Sequence, residues 1–318
     1  MLLGCLIGAV GLIGVADSLA ALLFLRGTAR STATGLGLGL LVTAAAAAMS
    51  LVPDVRGALA RWLPIEPANP VHALAVALGV LVVGFNLSLQ LSSDVLAETA
   101  SAAPLTPIDL IGQEVPFIFA AALGVGLYVR RGTSATLARL SLVRPAWWQV
   151  ALALAAAGVF YAFGTGVDFL SQTLTPDLAH KVDVANQRLF GKLDNPVGIV
   201  TLAVAAGVCE ETLFRGAIQP RLGIVVTSLM FAAVHTQYGL SLDVLGVLVL
   251  SVGLGLLRRY TNTTTSALCH VAYDLLVGVG IGLTLLPWAL AAEAILFLCL
   301  AVAYARLAPR GWPLALNR

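Results

Sequence analysis

The chain has 318 residues, of which 59% are hydrophobic and 11% are charged, and its mean hydropathy is +0.95. Soluble domains carry about 25% charged residues, so this chain has too few charges to cover a globular surface in water. Composition therefore excludes a soluble enzyme, a nucleic-acid-binding protein and a disordered protein, and it predicts an all-α, polytopic membrane protein. The four cysteines lie in apolar runs without CxxC spacing, a pattern that supports neither a disulfide framework nor a zinc knuckle.

Apolar runs long enough to cross a membrane recur along the whole chain. A spanning helix needs about 20 mostly apolar residues, and two of the runs are shorter than that. We therefore predict a transmembrane helical bundle of about 8–10 spans. The ten candidate runs are 2–25, 33–53, 71–93, 108–129, 146–170, 197–219, 223–239, 243–257, 264–283 and 285–305.

The basic residues predict how this bundle is oriented. With ten spans and a cytoplasmic N-terminus, twelve arginines fall on the inside, among them Arg310 and Arg318, against five basic residues outside. Cytoplasmic loops carry an excess of Lys and Arg, so this orientation is favoured, although Arg26 and Arg30 lie on the outside. We expect an integral, multi-pass protein of a bacterial plasma membrane with both termini in the cytoplasm.

Polar segments divide the chain into four predicted parts. Residues 1–175 supply N-terminal transmembrane helices of unassigned role, and residues 176–195 form a polar surface loop or amphipathic segment. Residues 196–284 hold the core helices that carry the chemistry, and residues 285–318 form a C-terminal span and a cytoplasmic tail. Within the polar segment Leu178, Val182, Ala185 and Leu189 recur at helical spacing, which is typical of a helix lying on the membrane surface.

Ionisable residues inside the predicted spans are concentrated in the C-terminal half. A charge in the hydrocarbon core costs about 2.5–3.5 kcal/mol, so each such residue needs a partner or a function. Of ten ionisable residues in the spans, six lie within 65 consecutive residues on three successive predicted helices. These six are Glu210, Glu211, Arg215, His235, His270 and Asp274.

Helical spacing predicts which of these side chains share a face. Glu211 and Arg215 are four residues apart, so they are predicted to form a salt bridge on one helix. His270 and Asp274 have the same spacing on another helix. Glu210 is rotated by about 100° from Glu211 and has no partner on its own helix, so it must find one elsewhere.

If the three helices meet, four of these side chains converge on one polar pocket. The four are Glu210, His235, His270 and Asp274. Such a pocket supplies a carboxylate base, two imidazoles and a hydrogen-bonding carboxylate, which are the groups needed to activate a water molecule and to stabilise an oxyanion. The same residue types also match the ligands of a catalytic zinc ion.

The polar residues form three motifs in a fixed order. They are Glu-Glu-x-x-x-Arg at 210–215, Phe-x-x-x-His at 231–235 and His-x-x-x-Asp at 270–274. Together they resemble the CPBP family of intramembrane proteases, which includes the CAAX prenyl-protein endopeptidases and bacterial relatives linked to bacteriocin processing and immunity. The resemblance covers residues 197–283, roughly a quarter of the chain.

The resemblance implies a hydrolase of peptide bonds within the membrane. It assigns Glu210 as the general base for the hydrolytic water, and His235 shares that task. His270 and Asp274 line the oxyanion side or orient the scissile carbonyl group. The family pattern allows Asn or Asp at its last position, and Asp274 departs from the Asn of the best-known CAAX proteases.

Other residues of the motifs are implied to support the site. Glu211 and Arg215 hold its structure, and Phe231 packs beside His235. One divalent metal ion, zinc, held by the four pocket residues, is compatible with the pattern. The residues themselves leave open whether the reaction needs it.

Two further classes of function remain open. A proton-coupled secondary transporter also uses membrane carboxylates and histidines, but it predicts paired repeats and discontinuous helices in both halves, whereas the polar cluster lies in one half. A catalytically silent membrane scaffold or immunity protein of the same fold would keep the motifs and recruit a partner. The predicted partners are a peptide or membrane-protein substrate and the lipid bilayer, without nucleic acid, and the sequence is silent on the oligomeric state.

Glu114 is a further carboxyl group within a predicted span. It lies two residues before Pro116, and a proline can kink a membrane helix so that a nearby carboxylate faces the bundle. We expect Glu114 to make a structural hydrogen bond. A position in the catalytic cavity is the alternative.

Overall fold

The computed structural model of the chain describes residues 2–307, and helices dominate this part. The predicted cytoplasmic tail, with Arg310 and Arg318, lies outside the described residues. A π-helix, Thr212–Ile218, and short 3₁₀ helices at Gly191–Leu193 and Thr236–Tyr238 interrupt the α-helices. The α-helices are, in chain order, α1 (Leu2–Leu23), α2 (Gly27–Met49), α3 (Pro53–Leu59), α4 (Pro70–Ser92), α5 (Val95–Ser101), α6 (Pro107–Gly124), α7 (Thr133–Arg139), α8 (Trp147–Leu174), α9 (Pro176–Phe190), α10 (Pro196–Glu211), α11 (Gln219–Val234), α12 (Leu242–Tyr260), α13 (Thr263–Val279) and α14 (Leu286–Leu307).

The protein is an integral, multi-pass membrane protein with an all-α fold. Seven helical stretches between residues 2 and 307 are long and apolar enough to cross a membrane. They are Leu3–Leu23, Gly27–Met49, Pro70–Ser92, Pro107–Gly124, Trp147–Leu174, Pro196–Val234 and Leu286–Arg306. The orientation of the bundle stays a prediction.

Every one of the ten predicted runs corresponds to a helix, but the number of candidate spans is smaller than the predicted eight to ten. One reason is that Pro196–Val234 counts as a single stretch, although a kink at Gly223 (φ 77°, ψ 174°) separates the two runs that the sequence suggested. Two more runs correspond to α12 and α13. The first carries Asp243, Arg258 and Arg259, and the second has 17 residues, fewer than the roughly 20 that a span needs.

The described chain forms two compact units. The first consists of residues 2–105, Gly166–Lys192 and Ala217–Gly255, and the second of Thr106–Thr165, Leu193–Gly216 and residues 256–307. Each unit therefore combines segments from distant parts of the sequence.

Small residues bring α2 and α4 close together in the first unit. A methyl group added at Gly39 would meet the side chain of Ser88, and one at Gly84 would meet Thr43. Small side chains at a membrane helix interface let the two backbones approach and increase the van der Waals contact between them. The pair therefore packs closely without needing large apolar side chains.

The polar segment at 176–195 contains the amphipathic helix α9, which packs in the first unit against α5 and the 3₁₀ helix Thr236–Tyr238. Its Val182 and Ala185 side chains form a hydrophobic cluster with Leu96, against which Leu178 and Tyr238 pack. At its C-terminal end the Arg188 Nε donates a hydrogen bond of 2.9 Å to the carbonyl oxygen of Ala102. The apolar face of α9 is thus buried against protein in this unit.

Candidate active site

Helices α10 and α13 pack against each other in the second unit through glycines at both ends of the contact. A Cβ atom added at Gly207 would lie 2.6 Å from Cγ2 of Val271, and one at Gly278 would lie 2.6 Å from Cγ2 of Ile199. Only hydrogen fits at these positions while the backbones stay where they are. This close approach brings the polar ends of the two helices together.

Glu211, the last residue of α10, is the centre of a buried polar network. Its Oε2 lies 3.3 Å from Nε of Arg215, and both side chains have no exposed surface. The Ser266 hydroxyl donates a short hydrogen bond to Oε2, and Nδ1 of His270 lies 3.3 Å from Oε1. Several groups that compensate one buried charge make such a network stable as a unit but costly to break. Glu211 therefore fixes the positions of Arg215 and His270.

Glu210 lies beside this network. Its carboxylate is buried, and its Oε2 has no hydrogen-bond partner among the residues that the structure describes. Nε2 of His270 lies 4.0 Å from this oxygen. Oδ2 of Asp274 lies 3.5 Å from the same nitrogen. The imidazole of His270 is thus held on one side by Glu211 and faces two further carboxylates on the other.

The chain between Thr212 and Ile218 is a π-helix, which begins directly after the two glutamates. Such segments are rare in proteins, and those that occur often lie at functional sites. Phe214 within it makes an edge-to-face contact with Phe117 of α6, with ring centroids 6.3 Å apart. This contact helps to hold α6, which also packs against α10, next to the glutamates.

Glu114 on α6 departs from the expectation of a structural hydrogen bond. The side chain is buried, with 9% of its surface exposed, and its Oε2 has no hydrogen-bond partner within residues 2–307. It interacts electrostatically with Glu210, His270 and Asp274. The packing of α6 on α10 directs this carboxyl group toward the site, so the expected structural bond is wrong.

His235 and Phe231 belong to the first unit, at the C-terminal end of α11. Nδ1 of His235 lies 2.7 Å from the carbonyl oxygen of Phe231, and because a carbonyl oxygen only accepts, Nδ1 is the donor. The His235 ring packs on Phe231, at 4.5 Å between centroids, and on Tyr238, at 6.4 Å. This arrangement leaves Nε2 as the nitrogen that accepts a proton.

In the second unit, the structure brings together most of the residues that the motifs singled out. Glu210, Glu211, Arg215, His270 and Asp274 form one cluster there. Sequence reasoning missed Ser266, although its place four residues before His270 puts both on one face of α13. Within the described residues, no group of three or more His, Cys, Asp or Glu side chains is arranged to hold a metal ion.

Comparison with known proteins gives a family for this region. Residues 192–276 match the family model for type II CAAX prenyl endopeptidase Rce1-like proteins. This segment is similar to the Rce1-like proteins. It contains all three sequence motifs and most of α10 to α13, so the resemblance to the CPBP family is confirmed there.

One curated relative also matches part of the chain. It is the uncharacterized protein YpbD of Bacillus subtilis (strain 168), which is 37% identical over 79 residues. That stretch is 24% of this chain and 41% of the relative, so the chain matches less than half of the relative's length. No solved structure matches the chain significantly.

Proposed function

We propose that this protein is an intramembrane endopeptidase that hydrolyses a peptide bond with a water molecule activated by Glu210. The match to a prenyl endopeptidase family supports a protease. The observation that carries the proposal is the buried Oε2 of Glu210, which has no hydrogen-bond partner in the described part of the chain and lies 4.0 Å from Nε2 of His270. Hydrogen bonds to water oxygen are about 2.8 Å long, so one water molecule can bond to both groups.

The first step is the attack of this water on the scissile carbonyl carbon. Glu210 accepts a proton from the water as its oxygen bonds to the carbon. As the water oxygen leaves Nε2 of His270 for the carbonyl carbon, the Nε2–H group becomes free to donate to the carbonyl oxygen and stabilises the negative charge that it gains. The proton transfer uses Glu210 and the stabilisation of the oxyanion uses His270, and both side chains belong to the cluster.

The remaining side chains of the cluster position His270. Glu211 lies against Nδ1 and Asp274 lies against Nε2, at 3.3 and 3.5 Å. A third group that orients the ring in this way is the usual companion of a catalytic histidine. Arg215 neutralises Glu211, so that the orienting carboxylate can stay ionised while buried.

His235 is proposed to share the task of the base. Its Nδ1 donates to the carbonyl oxygen of Phe231, so Nε2 is the basic nitrogen of the ring. We expect His235→Asn to lower kcat, because Asn offers no group of comparable basicity. The proposed substrate is a peptide that reaches the site from the cytoplasmic side of the bilayer, of the prenylated C-terminal type that the family name denotes.

The test is hydrolysis by the purified full-length protein in lipid nanodiscs. The probes are a farnesylated peptide that ends in a CAAX sequence and its unprenylated counterpart, with products identified by mass spectrometry. Wild-type protein is expected to cleave the farnesylated peptide at one bond, and Glu210→Gln is expected to lower kcat at least about 100-fold. Cleavage of the unprenylated peptide alone would correct the substrate class.

Glu293→Gln is the matched control. Glu293 lies on α14, a candidate span, and is also a carboxyl group with a buried oxygen that lacks a hydrogen-bond partner in the described chain, but it is not part of the cluster. We expect this variant to keep wild-type activity. Full activity in Glu210→Gln would refute the proposal. A wild-type protein that cleaves neither peptide, yet binds a partner equally well when Glu210 and His235 are both replaced, would establish the scaffold function instead.

A further inference from the structure

Glu114 is the one carboxyl group near the cluster that neither the motifs nor the proposed mechanism uses. It projects from α6, which packs on α10, and the contact between Phe117 and Phe214 fixes α6 one turn further along. The side chain is 9% exposed and Oε2 lacks a hydrogen-bond partner within the described chain. A buried polar atom without a partner costs about 1–3 kcal/mol, so its retention there calls for a function.

The charges of the surrounding groups indicate the state of this carboxyl group. Four carboxyl groups lie together, on Glu114, Glu210, Glu211 and Asp274, against two basic groups, on Arg215 and His270. Full ionisation would leave two negative charges uncompensated in a buried part of the chain, which is costly. At least one carboxyl group therefore retains its proton.

Glu114 is the group best suited to retain it. Glu211 is paired with Arg215, and Asp274 and Glu210 both face His270. Glu114 forms no ion pair or hydrogen bond in the described chain, and a protonated carboxyl group is far cheaper to bury without a partner than an ionised one. Its charged neighbours are the carboxyl groups of Glu210 and Asp274 and the imidazole of His270, which those two carboxyl groups already face.

Peptide hydrolysis requires an acid as well as a base. The nitrogen that leaves must receive a proton before the C–N bond can break, because an amide anion is a very poor leaving group. Glu210 is committed to the proton taken from water. Sites of this kind often divide the two tasks between two carboxyl groups in different environments.

We propose that Glu114 is the general acid that protonates the leaving nitrogen, an inference that rests on the proposed function. As the C–N bond breaks, the O–H bond of Glu114 breaks and its proton bonds to the nitrogen. The products are a carboxylic acid and an amine. The proton that Glu210 took from water then passes to the Glu114 carboxylate, which restores both groups for the next cycle.

The test compares an amide with a thioester at the same position. The probes are the farnesylated CAAX peptide and the same peptide with a thioester in place of the scissile amide bond. A thiolate leaves without being protonated, so a general acid matters only for the amide. We expect Glu114→Gln to lower kcat for the amide about 100-fold and to change kcat for the thioester less than about threefold, whereas Glu210→Gln slows both probes.

Glutamine has the shape of a protonated glutamate but cannot give up a proton, so Glu114→Gln should fold like the wild type. Its midpoint of thermal unfolding checks this, and Glu293→Gln is again the control. Equal slowing of both probes, or no slowing of either, overturns the proposal. Should Glu114→Gln not fold, Glu114→Asp replaces it, and an unchanged ratio of amide to thioester cleavage in that variant overturns the proposal as well.

The proposed function and the role of Glu114 can be refuted by different results. Normal thioester cleavage by Glu210→Gln would refute the activation of water by Glu210. The role of Glu114 would then be decided by the ratio of amide to thioester cleavage in Glu114→Gln. Wild-type protein that cleaves neither probe would refute the proposed function, and the assignment of Glu114 would fall with it.

Discussion

Nε of Arg215 lies 3.3 Å from Oε2 of Glu211 across one helical turn, and neither side chain has any exposed surface. Apart from Glu210, the helical stretch that holds this pair consists of apolar and small residues. Removing one member of a buried pair leaves an uncompensated charge and costs about 3–5 kcal/mol. The structural role of this pair can therefore be measured apart from catalysis.

We expect Glu211→Gln to lower the free energy of unfolding by about 3–5 kcal/mol, measured by denaturant titration in detergent. The exposed pair of Lys181 and Asp94, at 3.7 Å, is the matched control. Asp94→Asn keeps a side chain able to cap α5 and should change stability by less than about 1 kcal/mol. Similar losses for both variants would contradict a structural role for the buried pair.

The close contact of α10 and α13 predicts a second effect. Gly207→Ala should destabilise the protein by about 1–3 kcal/mol and lower activity, because the new methyl group would overlap Val271 and push the helices apart. Gly112→Ala is the control, since nothing lies within 4 Å of a Cβ atom there and alanine favours a helix by up to about 1 kcal/mol. Thermal unfolding and peptide cleavage are the measurements. Equal behaviour of the two variants would argue against close packing at Gly207.

The helix α9 predicts a third effect, within the first unit. Ala185 has no exposed surface, whereas Val184 beside it is 40% exposed. Ala185→Asp should separate α9 from Leu96 and Tyr238, because an unpaired charge is costly to bury, while Val184→Asp should be tolerated. Hydrogen exchange of residues 176–190 and 236–238 reports the change. Protection that stays the same in Ala185→Asp would contradict the packing of α9 on these residues.

Metal content is a fourth measurement. The motifs left a zinc ion open, and the described residues offer no group of three or more ligands arranged for one. Elemental analysis of active protein, with peptide cleavage measured before and after a chelator is added, decides this point. Stoichiometric zinc that is lost in both Glu210→Ala and His235→Ala would make the site a metalloprotease centre, whereas full activity without zinc would leave Glu210 as a base that acts without a metal ion.

Much of the fold and part of the site could be predicted because they depend on spacing within single helices. Each of the ten predicted apolar runs corresponds to a helix. The predicted pair of Glu211 and Arg215 is present, and His270 and Asp274 share a face as their spacing indicates. Such relations follow from the period of the α-helix alone.

Relations between helices could not be predicted in the same way. Hydrophobicity does not decide which faces meet inside a membrane, since lipid is as apolar as most side chains. The bond from Ser266 to Glu211 and the position of Glu114 both depend on such contacts. The π-helix was also missed, because its hydrogen bonds skip one residue more than those of an α-helix without leaving a mark in the apolar pattern.

The π-helix makes the protein sensitive to the deletion of a single residue. A π-helical segment behaves as an α-helix that has gained one residue, and each residue of an α-helix turns the chain by about 100°. Deleting a single residue between Thr212 and Ile218 would let the segment revert to an α-helix. Every side chain from Gln219 onward in α11 would then face another direction. We therefore expect the deletion of one residue in the π-helix to disturb the packing of α11 more than a single substitution there would.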